Sequence, residues 1–143
     1  MNRDVKLFIS GLHSNMSGME EENVGVETFD TAEYFKKNDS HYLLYEEMQE
    51  GFSQSSKNRI KCKTNLVELT RQGLMQTHMV FEENKKHMTQ YVTPYGEILL
   101  GIDTKRICLE EQEHAITVTV EYSLEADGEY LSDCKIVIRA EEQ

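Results

Sequence analysis

Residues 116–125 read Ile-Thr-Val-Thr-Val-Glu-Tyr-Ser-Leu-Glu, an unbroken alternation of apolar and polar side chains. Successive side chains of a β-strand point to opposite faces of its sheet, so this stretch has one apolar face and one polar face. The pattern predicts a strand that packs one face against a core and exposes the other to water. Strands of this kind are typical of antiparallel sheets.

The same period of two recurs along the chain. Shorter alternating stretches lie at residues 5–9, 24–26, 60–62, 98–102 and 134–138. Two further segments, residues 29–37 and 42–48, also carry helix-like signals, because a capping pair lies in the first and helix-forming residues are frequent in the second. We interpret both segments as strands, with helices as the alternative.

The order and spacing of these strands predict the fold class. About eight or nine strands follow one another with short connections, which favours an up-and-down meander of antiparallel strands. Closure into a barrel is the usual way for such a sheet to remove its unpaired edges. We therefore expect an all-β, antiparallel up-and-down barrel.

A single domain accounts for the whole chain, residues 1–143. This length is close to the common size of one domain, and the sequence has one proline, no repeat and no low-complexity linker. The last two strands are expected to form a hairpin with a three-residue loop over residues 126–128, whose glycine adopts a left-handed conformation. This register places Val120 opposite Cys134.

Cysteine content and hydropathy bear on the compartment. The three cysteines are odd in number and lack a C-x-x-C spacing, so we expect buried free thiols rather than disulfides or a zinc site. The longest aliphatic and aromatic run, residues 42–45, is far shorter than the roughly 20 residues of a membrane-spanning helix. No apolar leader is recognisable at the start of the sequence. These features favour a cytoplasmic protein without a membrane partner.

The net charge of −11 argues against nucleic acid as a partner, because the molecule as a whole repels phosphate. One local exception is a row of cations at every second residue, Lys57, Arg59, Lys61 and Lys63. In a strand, this spacing puts all of them on one face. We interpret them as a solvated face that protects a strand edge, with binding of an acidic partner as the alternative.

Residue patterns for catalysis are absent from the sequence. The five histidines are dispersed without a ligand spacing, and no G-x-S-x-G elbow or glycine-rich phosphate loop occurs. Runs of glutamate at residues 20–22 and 110–113 lack the spacing of a calcium-binding loop, so solvated charge is the better interpretation. We expect surface or rim histidines, no metal site, no cofactor and no catalytic residues.

Polar side chains on the predicted apolar faces are the candidate binding residues, namely Glu46, Arg71, Gln90, Thr104, Arg106 and Tyr122. Burying a lone charge is costly, so the charged members should lie at a barrel mouth or pair with one another. One interpretation is a structural network at one end, with Arg71 paired to Glu46. The other is a partly polar ligand pocket in the barrel interior, where Arg71 or Arg106 binds an anionic group and Tyr122 or Gln90 lines the wall.

Several short motifs occur in an order that resembles a known family. They are Tyr-Leu-Leu-Tyr-Glu-Glu at 42–47, Arg-Gln-Gly at 71–73, Tyr-Val-Thr-Pro-Tyr-Gly at 91–96, Thr104, and Glu-Tyr-Ser-Leu at 121–124. Together they resemble the YwiB-like family of small bacterial proteins, a domain of unknown function, over essentially the whole chain. The resemblance implies a calycin-like barrel, related in shape to lipocalins and fatty-acid-binding proteins. It carries over no catalytic residues, and a shared barrel is only an analogy for function.

The residues favour a non-enzymatic barrel that holds a small anionic, amphipathic or otherwise partly polar molecule in its interior. A filled barrel that acts as a protein-interaction or self-associating module, for example as a homodimer, is the alternative. An enzyme of unidentified reaction ranks third. Interior volume distinguishes the first two, because a barrel of about eight strands is just wide enough to be filled by side chains or to hold one ligand.

Overall fold

The computed structural model describes residues 4–11, 27–48, 55–73, 76–93 and 96–143. The strands in these residues are β1 (Asp4–Ser10), β2 (Glu27–Lys37), β3 (Ser40–Met48), β4 (Ser55–Lys63), β5 (Leu66–Gln72), β6 (Thr77–Glu82), β7 (Lys85–Thr93), β8 (Gly96–Glu111), β9 (Ala115–Ala126) and β10 (Glu129–Glu142). The all-β prediction is confirmed, with a strand count slightly above the expected one, and residues 29–37 and 42–48 are strands. No helix in the described ranges is long and apolar enough to cross a membrane.

Neighbouring strands of the sheet run antiparallel, in the order β6-β5-β4-β3-β2-β1-β10-β9-β8-β7. Every pair in this order is consecutive in the chain except β1 and β10. The sheet curls until its edge strands, β6 and β7, approach each other beside the turn at residues 83–84. Across this seam, Thr89 Oγ1 donates a hydrogen bond of 2.6 Å to the carbonyl oxygen of His78. The fold is therefore a nearly closed up-and-down barrel, as predicted.

The up-and-down order gives the barrel two different ends. The turn end carries the short connections at residues 38–39, 64–65, 83–84 and 112–114. The loop end carries the connections that follow β1, β3, β5, β7 and β9. Side chains midway between the two ends are shielded from water, so burial there favours apolar residues.

The barrel interior is the hydrophobic core. In β1, for example, the alternate residues Val5, Leu7 and Ile9 are buried. The largest fully buried side chains come from eight different strands and include Phe81, Leu7, Leu43, Ile60, Ile102, Leu124 and Ile136. Burying one such side chain contributes about 1.5–3 kcal/mol to folding. Packing along the barrel axis therefore holds the strands together.

The hairpin between β9 and β10 differs from the predicted one. Its loop has two residues, Asp127 and Gly128, with φ values of 50° and 87°. The predicted left-handed glycine is confirmed, but the three-residue loop is wrong. A β-bulge at Leu131 follows the turn and brings the apolar faces of the two strands back together, so that Val120 lies opposite Ile136.

β7 and β8 pair on either side of residues 94–95, which lie outside the described residues. Thr93 lies opposite Gly96, and Gln90 lies opposite Leu99. Gln90 therefore lies on the same outer face of the sheet as exposed Leu99, and its expected place on an inner wall of the barrel is wrong.

Replacing Gly128 by valine should lower the free energy of unfolding by about 1 kcal/mol or more, because a β-branched residue is strained at positive φ. An added Cβ would meet no atom within 4 Å, so the backbone conformation alone causes the loss. Urea denaturation measures the change. The matched control is Glu129→Val, at the next exposed position. An equal unfolding midpoint for the two variants would contradict the left-handed assignment.

Candidate functional site

The structure separates the predicted site residues instead of bringing them together. Three of the six are exposed on the outer surface, namely Glu46, Gln90 and Arg106. Thr104 and Tyr122 are buried inside the barrel and lie opposite each other on β8 and β9. Arg71 is half-buried near the loop end. A single interior site built from all six residues is therefore wrong.

β3 carries apolar residues on both of its faces, and only one of these faces packs into the core. Glu46 lies on the opposite face and therefore points outward. Leu43 and Tyr45 are buried, whereas Glu46 is exposed opposite Lys57. Arg71 lies opposite Asn58, the next residue of β4, and therefore on the other side of the sheet from Glu46. The expected ion pair between Arg71 and Glu46 is wrong.

Arg106 faces outward because a β-bulge interrupts β8. Thr104 lies opposite Tyr122, and Arg106 lies opposite Glu121, so Lys105 is the extra residue. One inserted residue exchanges the two faces of the strand beyond it. The same exchange puts Cys108 opposite Thr119 and leaves its thiol half-buried, whereas Cys62 and Cys134 are buried as expected.

A polar cluster lies inside the barrel toward the loop end. Arg71 Nε donates a hydrogen bond of 3.1 Å to Asn58 Oδ1. The amide nitrogen of Asn58 in turn donates to Ser56 Oγ at 3.2 Å, and both Asn58 and Ser56 are buried. Arg71 is thus joined to β4 through Asn58, and its partner there is not Glu46.

The two buried candidates lie in an apolar setting. Tyr122 packs edge-on against Phe81, with ring centroids 4.8 Å apart. Burial, with a smaller effect of Cys134, raises the pKa of Tyr122 well above its ordinary value. Thr104 is 1% exposed, and its hydroxyl has no hydrogen-bond partner among the described residues. This part of the interior therefore disfavours negative charge.

A second polar cluster, at the turn end, was missed in the sequence. His41 is 2% exposed, and its Nδ1 lies 2.7 Å from the Tyr34 hydroxyl. Its Nε2 lies 3.7 Å from Glu111 Oε1, and Glu111 also forms an ion pair of 3.4 Å with Lys36. The expected surface position of His41 is wrong. Its apolar neighbours at every second residue of β3, Leu43 and Tyr45, were the signal that could have revealed its burial.

The buried imidazole is held in its neutral form. Burial lowers the pKa of His41, an effect that Glu111 opposes and Lys36 reinforces. Burial also raises the pKa of Tyr34, so the phenol keeps its proton, and a bond in which the phenol donates to Nδ1 is the arrangement that leaves an Nε2 hydrogen for Glu111. The neutral ring then carries its hydrogen on Nε2, facing Glu111. The cluster closes the turn end by linking β2 and β3 to β8.

A cleft opens in the sheet toward the loop end, where β2 and β3 separate. β2 pairs with β1 over residues 27–33 and with β3 over residues 33–37. Residues 45–48 of β3 pair only with β4 among the described residues. The two strands therefore share a ladder on one side of Glu33 and diverge on the other, and we call this opening the β2–β3 cleft.

The β2–β3 cleft has a volume of about 750 Å³. Its wall includes three buried residues, Ala32, Tyr45 and Asn58, so it reaches into the sheet. Charged side chains also line it, and they are Asp4, Glu33, Glu46, Lys57 and Arg59. Neither of the two cations forms an ion pair with any residue that the structure describes. The cleft thus offers free cationic groups beside partly apolar walls.

Replacing His41 by glutamine should make the fold less sensitive to acid. The neutral ring contributes stability above its unfolded pKa of about 6.5, and this contribution is lost as the pH falls toward the lowered folded pKa. Urea denaturation at several pH values from about 7.5 to 5 measures the slope of stability against pH. The control Gln112→Asn, at an exposed position without a titrating group, should keep the wild-type slope. Parallel slopes for both variants would refute the role of His41.

Replacing Thr104 by valine should leave the free energy of unfolding unchanged or raise it by about 1 kcal/mol, because it removes a buried hydroxyl without a described partner. The control is Ser123→Ala. The Ser123 hydroxyl donates a hydrogen bond of 2.8 Å to Asp133, so its loss should cost about 1 kcal/mol. Thermal and urea unfolding measure both. An equal loss in the two variants would mean that the Thr104 hydroxyl has a bound partner.

Comparisons with known proteins agree with the observed fold. The structure is similar to the crystal structure of the ywiB protein from Bacillus subtilis, with a TM-score of 0.71 and 20% sequence identity over 98% of this chain and 89% of that chain. No curated protein matches the chain at a significant level. The family model described as a domain of unknown function (DUF1934) matches residues 12–138. The resemblance noted in the sequence is thus confirmed, and the chain belongs to this family of YwiB-like barrels.

Proposed function

We propose that this protein is a non-enzymatic binding protein that holds a small, partly polar molecule with an anionic group in the β2–β3 cleft. The volume of about 750 Å³ falls within the usual range for sites of small ligands, roughly 300–1,000 Å³. One observation carries the proposal: Lys57 and Arg59 line this cleft without an ion pair to any described carboxylate.

The cleft is a better place for an anionic group than the barrel interior. Large apolar side chains line the interior, and burial there raises the pKa of Tyr122, which reflects the cost of negative charge. Lys57 and Arg59 are exposed to water, so an incoming anion can replace part of their hydration. A guanidinium can also bind a carboxylate or phosphate through two parallel hydrogen bonds.

The other lining residues restrict the ligand further. Asp4, Glu33 and Glu46 repel a molecule with several negative charges. Leu44 and Ala32 supply apolar contact beside them. These features fit a ligand with one anionic group, a neutral or cationic polar part, and a short apolar body.

The three thiols bear on the compartment in which the protein functions. Cys62 is fully buried, and burial raises the pKa of its thiol to about 12, so it stays protonated and unreactive. All three cysteines are free. Free thiols fit a reducing compartment, which supports a cytoplasmic location as part of the proposal.

The double variant Lys57→Met, Arg59→Met should bind the anionic fluorophore anilinonaphthalene sulfonate at least about tenfold more weakly than the wild type, since two charge-assisted contacts are lost. Fluorescence titration measures the Kd, and native mass spectrometry of freshly purified protein detects any retained small molecule. The matched control, Lys105→Met with Lys135→Met, makes the same charge change at exposed positions on β8 and β10. Equal affinities for the two double variants would exclude the cleft as the binding site.

A further inference from the structure

The outer face of β4 carries a row of four cations, Lys57, Arg59, Lys61 and Lys63, which we call the β4 cation row. The predicted alternation is borne out, because the intervening residues Ser56, Asn58, Ile60 and Cys62 are buried. Along a strand, alternate side chains are about 6.6–6.8 Å apart. None of the four cations forms an ion pair with a described residue, although the chain has 26 acidic residues against 15 lysines and arginines.

An aromatic pair lies beside the β4 cation row. Phe35 and Tyr42 stack with ring centroids 4.8 Å apart and an angle of 9° between their planes. Phe35 is 41% exposed, so its ring adds apolar area to this surface. Lys61 Nζ lies 5.9 Å from the centre of the Tyr42 ring, within the range of a cation–π contact. The surface therefore combines cations with exposed apolar area.

We infer that the β4 cation row and its aromatic pair form a docking surface for an extended acidic peptide segment of a partner protein. This inference goes beyond the proposed ligand in the cleft, because Lys61, Lys63 and the two rings lie outside the cleft lining. In an extended peptide, every second side chain faces the surface at a spacing of about 6.6–6.8 Å. Glutamate or aspartate at alternate positions therefore meets successive cations.

The neighbouring charges favour a peptide over a nucleic acid. Glu46 lies opposite Lys57 and Glu68 lies opposite Lys61, so carboxylates flank the row on β3 and β5. These carboxylates and the net charge of −11 repel a polymer with a phosphate on every unit. A peptide with neutral residues at alternate positions presents fewer charges to them, and its side chains can contact Phe35 and Tyr42.

The test uses the full chain and a fluorescent peptide of about ten residues that alternates glutamate with threonine, long enough to span the row when extended. Fluorescence anisotropy at low salt should show saturable binding that weakens as salt is added. The double variant Lys61→Glu, Lys63→Glu should bind the peptide at least about tenfold more weakly than the matched control, Lys105→Glu with Lys135→Glu. Circular dichroism checks that both variants fold, and Lys61→Gln with Lys63→Gln replaces the first if it does not.

Equal losses of peptide affinity in the Lys61→Glu, Lys63→Glu variant and in the control would overturn the docking surface, since net charge alone would then explain the effect. Equal binding of a glutamine–threonine peptide, or equally tight binding of an oligothymidylate, would also overturn it. The Lys61→Glu, Lys63→Glu variant should lose far less affinity for anilinonaphthalene sulfonate than the Lys57→Met, Arg59→Met variant, because its substitutions lie outside the cleft. Failure of the docking surface and failure of the cleft proposal therefore give different results.

Discussion

The pairing of β1 with β10 is the interaction on which the rest of the barrel depends. It is the only ladder in the described sheet that joins strands far apart in the chain. Six residue pairs form it, and buried Leu7 and Ile9 lie opposite buried Ala140 and Ile138. Without this ladder, the described sheet would divide into one of β1–β6 and one of β7–β10, and β1 and β10 would become edge strands.

The same pairing explains where the β2–β3 cleft lies. β1 pairs with β10 on one side and with β2 on the other, and its ladder with β2 ends at Glu33. β2 begins to pair with β3 at this same residue. Over its first half, β2 pairs with β1 and has no described ladder with β3, so an opening lies between β2 and β3 there. The cleft is therefore a result of how the barrel closes, and Lys57 and Arg59 lie along its wall because β4 continues straight past it.

Sequence patterns predicted the strands well and the direction of individual side chains less well. In β9 one face is apolar and the other polar, so the buried face could be read directly. In β3, by contrast, Leu43 and Leu44 offer equally apolar faces, and only packing decides that Leu43 is buried. Bulges are harder still: the extra residue Lys105 turns Arg106 outward, and the backbone N–H of Ile107 bonds to Glu83, a residue distant in sequence.

The predicted site residues also show that sequence patterns do not identify the contacts of individual side chains. A polar network at one end of the barrel was expected, and polar clusters do occur at both ends, but with other members than the expected pair. Arg71 bonds to Asn58 at the loop end, and Tyr34 bonds to His41 at the turn end. These partners come from neighbouring strands whose register depends on the whole barrel, so sequence spacing could not identify them. Between the two clusters the core is largely apolar, which is why the proposed sites for charged ligands lie in the β2–β3 cleft and on the outer surface. Because Lys57 and Arg59 belong both to the cleft and to the β4 cation row, an anion in the cleft reduces the positive charge available to an acidic peptide. By thermodynamic linkage, a bound peptide must lower the affinity for the anion by the same factor by which the anion lowers the affinity for the peptide. The two proposed sites are therefore expected to compete through these two residues, while Lys61 and Lys63 serve the peptide alone.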